Sequence, residues 1–172
     1  MLHVVAWPIL AEAEDTALRR LRAQYHPGEA ELIGPHFTLV FGAPATEEGR
    51  LRAALDDIAS WRPFWFVLDR LVRHDLTPPA RAAYLFAIPG EGSANFESLY
   101  GSLNPLPGDM PFQPHITLGL FERAVDAEHI ARIVERQHLP VHGRVEELAL
   151  LRRDGDKLET LETVRLGAPS AD

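Results

Sequence analysis

Pro35-His36-Phe37-Thr38-Leu39 and Pro114-His115-Ile116-Thr117-Leu118 are two copies of one pattern, 79 residues apart in a chain of 172. In a strand, side chains two apart share a face. Each copy therefore sets a His and a Thr on one side, His36 with Thr38 and His115 with Thr117. The opposite side is apolar: Phe37, Leu39 and Phe41 in the first copy, Ile116, Leu118 and Leu120 in the second. By the same parity Gly119 falls on the His115 face, where it adds no bulk. Pro35 and Pro114 suit the start of a strand, where a missing N–H costs least.

Sliding the whole chain by that offset matches element to element without a gap. Residues 2–9 are short, apolar and rich in Val and Trp, a strand pattern, and the slide lands on 81–88, which reads alike. Helical spacing over 14–25 sets Leu18 and Leu21 on one face, with Arg19, Arg20 and Arg22 on others. Its partner is 93–104, where Ser93 can cap the start and Phe96, Leu99, Tyr100 and Leu103 form a stripe. Beyond the His segments come helices over 46–60 (Leu51, Leu55, Ile58) and 125–138 (Ile130, Ile133, Val134). Strands over 64–73 and 143–152 follow. A last strand over 158–166 is joined to its predecessor through Asp154-Gly155, a hairpin signal. Pro78-Pro79 breaks the chain near its middle.

The fold class expected is α+β. Two pseudo-symmetric lobes of mainly antiparallel sheet, with outer helices, face a central cleft. One domain spans 1–172, with an internal repeat of about 2–80 and 81–168.

Composition narrows the partners. There are 17 Lys and Arg against 25 Asp and Glu, a net charge of −8. Non-specific binding of long duplex nucleic acid needs clustered cations and is not expected. A small anion in a locally positive cleft remains open, and every cation but Lys157 is an arginine, suited to bidentate phosphate contacts. Cysteine is absent, so thiol catalysis, disulfides and zinc-thiolate sites are excluded. No apolar run approaches the ~20 residues of a membrane span. Residues 1–13 lack the basic flank and cleavage pattern of a secretory signal, so the expected location is cytoplasmic. A monomer is the expected state.

Two imidazoles and two hydroxyls around one small site suit in-line attack on a phosphodiester. One neutral His takes a proton from the incoming oxygen, and one His cation gives a proton to the leaving oxygen. An ordinary pKa near 6.5 makes both states available. The Thr38 and Thr117 hydroxyls can donate to non-bridging phosphate oxygens. No metal or other cofactor is required. Two other classes stay open: a module that binds a nucleotide or RNA end without turnover, and a metallohydrolase with His ligands. The second lacks an Asp or Glu within either motif, whereas three protein ligands are usual at a catalytic zinc. His129, His138 and His142 show no metal spacing, and His3 and His26 carry no signal.

At His36-Phe37-Thr38-Leu39 and His115-Ile116-Thr117-Leu118 the chain resembles the 2H phosphoesterase superfamily, in particular the 2′-5′ RNA ligase-like (LigT-like) cyclic phosphodiesterases. The resemblance covers nearly the whole chain. It implies metal-independent hydrolysis of 2′,3′-cyclic phosphates or related nucleotide and RNA-end phosphodiesters, and some relatives also join RNA ends through a 2′-5′ linkage. It implies His36, Thr38, His115 and Thr117 as the site, with His115 activating water and His36 protonating the leaving ribose oxygen. Many ligase-like members carry an Arg shortly after the second motif. Here Gly119-Leu120-Phe121 stands in its place, with Arg123 nearby. Arg81 matches a basic position of such proteins and is the expected auxiliary phosphate contact. Tyr84 and Phe86, at the repeat positions of Val5 and Trp7, offer rings either to stack a base or to fill the core. The stretch 74–81 can lie over the cleft as a lid.

Overall fold

A computed structural model describes residues 1–77, 81–104 and 111–167. Its elements run β1 (Leu2–Leu10), α1 (Glu12–Tyr25), α2 (Pro27–Leu32), β2 (Phe37–Ala43), a 3₁₀ turn (Ala45–Glu47), α3 (Glu48–Ala59), β3 (Phe64–Asp75), β4 (Ala83–Glu91), α4 (Ser93–Leu103), β5 (Ile116–Phe121), α5 (Ala124–His138), β6 (Val141–Asp154) and β7 (Lys157–Arg165). Every element expected from hydrophobic period is present. The short helix α2, opened by Pro27 at its first turn, is additional; six residues are too few for a periodic stripe to register.

All pairings are antiparallel, in one sheet of order β2-β1-β6-β3-β4-β5, with β7 also on β6. The two halves of the chain thus interleave, since β6 of the second half pairs with β1 and β3 of the first, and β3 with β4 of the second. Along one edge β6 pairs with β1 from Gly143 to Arg152; along the other it pairs first with β3 (Val141 to Val145) and then with β7 (Glu147 to Asp154). The hairpin between β6 and β7 turns at Gly155, whose φ of +58° is left-handed and favours glycine.

Apolar faces of strands and helices meet in one main core. Phe37, Phe66 and Phe96 lie at its centre, with Phe37 and Phe96 ring centroids 4.1 Å apart. Leu51, Leu55 and Ile58 of α3 and Phe96, Leu99 and Leu103 of α4 are buried as their spacing required. Two helical positions differ. Ile133 is 37% exposed, whereas Arg22 is 2% exposed. Arg22 lies one turn beyond Leu18 and so shares its inward face.

The pairing registers show where an ungapped slide fails. Val5 lies opposite Thr38 as Phe86 lies opposite Thr117, so β1 and β4 correspond at an offset of 81. The His strands correspond at 79. Ala149 lies opposite Val5 as Val72 lies opposite Phe86, an offset of 77 for β3 and β6. Two residues are dropped in each intervening connection. Phe86 is therefore the counterpart of Val5, and Tyr84 that of His3, rather than of Trp7 and Val5. The expected lid over 74–81 includes Pro78-Pro79, and the expected repeat runs to 168; residues 78–80 and 168 lie outside the described residues.

Candidate active site

Both motif strands carry a β-bulge at the same place. Opposite β1 the pairs pass from Val5–Thr38 to Val4–Val40, making Leu39 the extra residue; opposite β4 they pass from Phe86–Thr117 to Leu85–Gly119, making Leu118 the extra one. An extra residue inverts face parity beyond it. Phe37, Leu39, Ile116 and Leu118 are buried as expected, but Phe41 is 81% exposed and Leu120 38%. Phe41 lines a groove together with His36 and Thr38, and its ring meets His3 edge-on at 5.0 Å. Leu120 lies opposite Tyr84. Gly119 turns inward instead of lying on the His115 face. A Cβ there would sit 2.7 Å from both Tyr25 Cβ and the Phe121 ring. Because Tyr25 Cβ is rooted on α1, it cannot swing aside. Gly119→Ala should therefore destabilise the fold by about 1–3 kcal/mol. A drop of about 2–12 °C in Tm would register this, and an unchanged Tm would show that the α1–β5 contact yields.

The two histidines are oriented by one local device. His36 Nδ1 is 2.8 Å from the Gly34 carbonyl, and His115 Nδ1 is 2.8 Å from the Gln113 carbonyl. A carbonyl only accepts, so each Nδ1 carries the proton and donates it. Each neutral ring then presents Nε2 as a lone pair. The residue between is proline in both cases, which holds the preceding residue extended and fixes that carbonyl.

Burial dominates the electrostatics of both rings. It pushes His36 down to about 4, aided by the Arg22 and His115 charges and opposed by the Gly34 hydrogen bond and Glu29. His115 is also lowered, chiefly by burial, with the His74 charge acting in the same direction. Arg22 joins the two segments directly: Nη1 donates to Thr117 O at 2.5 Å and Nη2 to Ile33 O at 3.0 Å.

The walls on either side of the histidines differ. Beside His36 and Thr38 the groove is lined by His3, Phe41, Glu29 and Arg153 among others. Arg153 is held bidentately by Glu29 at 2.7 and 3.1 Å. Beside His115 runs a row of rings: Phe86 stacks on His115 at 3.9 Å and on Tyr84 at 5.7 Å, and Tyr84 meets His26 edge-on at 6.0 Å. His74 stacks on Phe86 at 5.7 Å. Tyr84 and Phe86 are thus partly exposed on the His115 side, not in the core.

Arg81 is elsewhere. It precedes β4 by two residues, and Ala83 pairs with Phe121 at the end of β5 remote from His115. From Phe86, opposite Thr117, to Arg81 is five residues, about 16 Å of extended chain. There Arg81 and Arg123 line a depression of about 510 Å³, larger than the groove at His36 but apart from both motifs. This arrangement sets Arg81 at the far end of β5 from His115. Sequence reasoning also missed Arg22, Arg153, His26 and His74. His74 was legible in principle, since it lies opposite Tyr84 in the β3–β4 ladder; the others depend on how helices seat on sheets. Among the described residues no three His, Asp or Glu side chains are grouped to hold a metal ion, and no helix is long and apolar enough to cross a membrane.

Residues 9–157 match the family model of the 2′-5′ RNA ligase superfamily. Three solved structures share the fold over almost their full length. Escherichia coli LigT in complex with NADP⁺ is 19% identical, with a TM-score of 0.58, and the alignment covers 97% of this chain and 98% of that one. TT0787 of Thermus thermophilus is 22% identical, with a TM-score of 0.63, covering 97% and 98%. Kluyveromyces marxianus Usb1 with uridine monophosphate is 10% identical, with a TM-score of 0.56, covering 96% and 98%. No curated protein matches the sequence.

Proposed function

Because this chain belongs to the 2′-5′ RNA ligase superfamily, we propose that it is a single two-lobed 2H phosphoesterase. It hydrolyses 2′,3′-cyclic phosphates of nucleotides or RNA ends without a metal. The observation that carries this reading is the matched pair of Nδ1–H donors, which leaves one Nε2 on each of His36 and His115 free for proton transfer. Two orphan structural histidines would have no reason to share that device.

His115 Nε2 takes a proton from water as the water oxygen bonds to phosphorus. The phosphorus–oxygen bond to one ribose hydroxyl position breaks, and His36 Nε2–H supplies the proton to that oxygen. Thr38 and Thr117 donate to the non-bridging oxygens as charge shifts among them. Tyr84 and Phe86 form a surface on which a nucleobase stacks, a contact worth ~1–3 kcal/mol. LigT with 3′-AMP or NADP⁺ and Usb1 with uridine monophosphate support a nucleotide as the occupant here. With Leu120 on the cleft face and Arg153 already paired to Glu29, phosphate recognition rests on the threonines and histidines, which favours short RNA ends over long ones.

The deciding assay uses purified, EDTA-treated protein with 2′,3′-cyclic nucleotides. Conversion to the monophosphate is expected. Nucleotide binding without product across cyclic and 2′-5′-linked substrates would leave only a binding module, and activity that appears only on adding metal would point to metal-assisted hydrolysis.

A further inference from the structure

β2 and β5 are edge strands of the sheet, each paired on one side only, so a carbonyl on their outer side has no strand to donate to it. At each bulge, one such carbonyl is held by a side chain from a helix of the other half of the chain. Arg22, in the last turn of α1, donates to Thr117 O on β5; Asn104, just past α4, donates through Nδ2 to Leu39 O on β2 at 3.0 Å. Asn104 also ties down its own helix end through Tyr100 O at 2.9 Å, and Arg22 reaches Ile33 O, three residues ahead of His36. The two contacts are near-equivalents under the repeat: α1 packs on β5 as α4 packs on β2.

We propose that Arg22 and Asn104 are positioning residues, which hold the two bulges and thereby set the spacing between the His36–Thr38 and His115–Thr117 pairs. This rests on the phosphodiesterase reading. The bulge follows each threonine directly, so a carbonyl released there lets the strand re-register and moves the hydroxyl with it. Arg22 does more than its counterpart, because its fork spans a carbonyl from each lobe, a task for which lysine's point charge is not shaped. Its burial is costly: Nε is buried with no partner, and burial lowers its own pKa despite the attraction of Glu29. A buried cation of this kind is seldom the best choice for stability alone, since an apolar side chain of similar volume often serves as well. What the cation adds is its field on His36, where it opposes protonation together with His115 and against Glu29.

Arg22→Lys, Arg22→Gln and Asn104→Leu separate geometry from charge. In Arg22→Lys and Asn104→Leu, kcat on a 2′,3′-cyclic nucleotide should fall more than tenfold with KM changed less than threefold. Followed by NMR in the free protein, His36 should titrate near its wild-type value of about 4 in those two variants. In Arg22→Gln it should move upward toward 6.5. A fold-only role would lower Tm and leave kcat of the folded variants at the wild-type value. Folded Lys and Leu variants with wild-type kcat, or an Arg22→Gln protein with unmoved His36, would overturn the proposal. Should the Arg22 variants not fold, Asn104→Leu decides by its kcat. If the wild type shows no diesterase activity, the functional reading fails, while the His36 titration in Arg22→Gln still tests the role of Arg22.

Discussion

His36→Ala and His115→Ala are each expected to lower turnover of 2′,3′-cyclic nucleotides by about 10²–10⁴-fold, the usual worth of one positioned proton transfer. Each ring is tethered by its hydrogen bond to a carbonyl only two residues away in its own segment, so removing it strips Nε2 from the cleft without breaking a hydrogen bond between elements. Phe37 and Ile116, next in sequence, stay anchored in the core. Because acid and base serve one reaction, the double variant should be little worse than either single one. Thr38→Ala and Thr117→Ala should be milder, each removing a hydrogen bond to a charged group worth ~1.5–3 kcal/mol. Steady-state kinetics at saturating substrate, with Tm as the control for folding, measure all of these. An alanine variant at either His that kept a tenth of wild-type turnover would remove that residue from the chemistry.

The second large effect is on pH. In the free protein burial holds both imidazoles below their ordinary value, His36 at about 4, yet one of them must be protonated to act as the acid. A bound phosphate anion favours the charged ring and raises its pKa. Nucleotide binding near pH 6.5 should therefore take up about one proton. Calorimetric titration with a nucleoside monophosphate in buffers of different ionisation enthalpy would detect it. The profile of kcat/KM, which reports the free enzyme, should peak below 6.5, and that of kcat at a higher pH. Coincident optima and no proton uptake would mean that the rings are not buried as described. Stability follows from the same shift. Between about 6.5 and 4 the unfolded chain binds a proton at His36 that the folded protein refuses, so this contribution is fully present above 6.5 and is lost as pH falls. His36→Ala should flatten that part of the Tm–pH curve.

Local signals carried the elements and the motif: the apolar alternation around Phe37 and Ile116, the stripes of α3 and α4, and the paired Pro-His-x-Thr. What they could not carry was anything that depends on one residue more or less. The bulges at Leu39 and Leu118 reverse parity one step beyond the reliable pattern, which is why Phe41, Gly119 and Leu120 face the other way. The drift of the repeat offset from 81 to 77 moved the counterparts of Tyr84 and Phe86 for the same reason. Arg22 looked like a solvated helix residue because charge outweighs position in any reading by composition. Its partners are carbonyls of distant segments, and no side-chain pattern announces a carbonyl. The position of Arg81 at the far end of β5 was not legible, because closeness to a strand start says nothing of which end of the neighbouring strand it meets.

Strand β6 runs through both halves of the molecule, paired with β1 over its length and handed from β3 to β7 along its other edge. Swinging β3, β4 and β5 away from β1 and β2 would mean breaking the ladder of Phe64 to Leu68 on Val145 to Val141. A nucleotide entering between the two motifs would then meet strands already joined in one sheet.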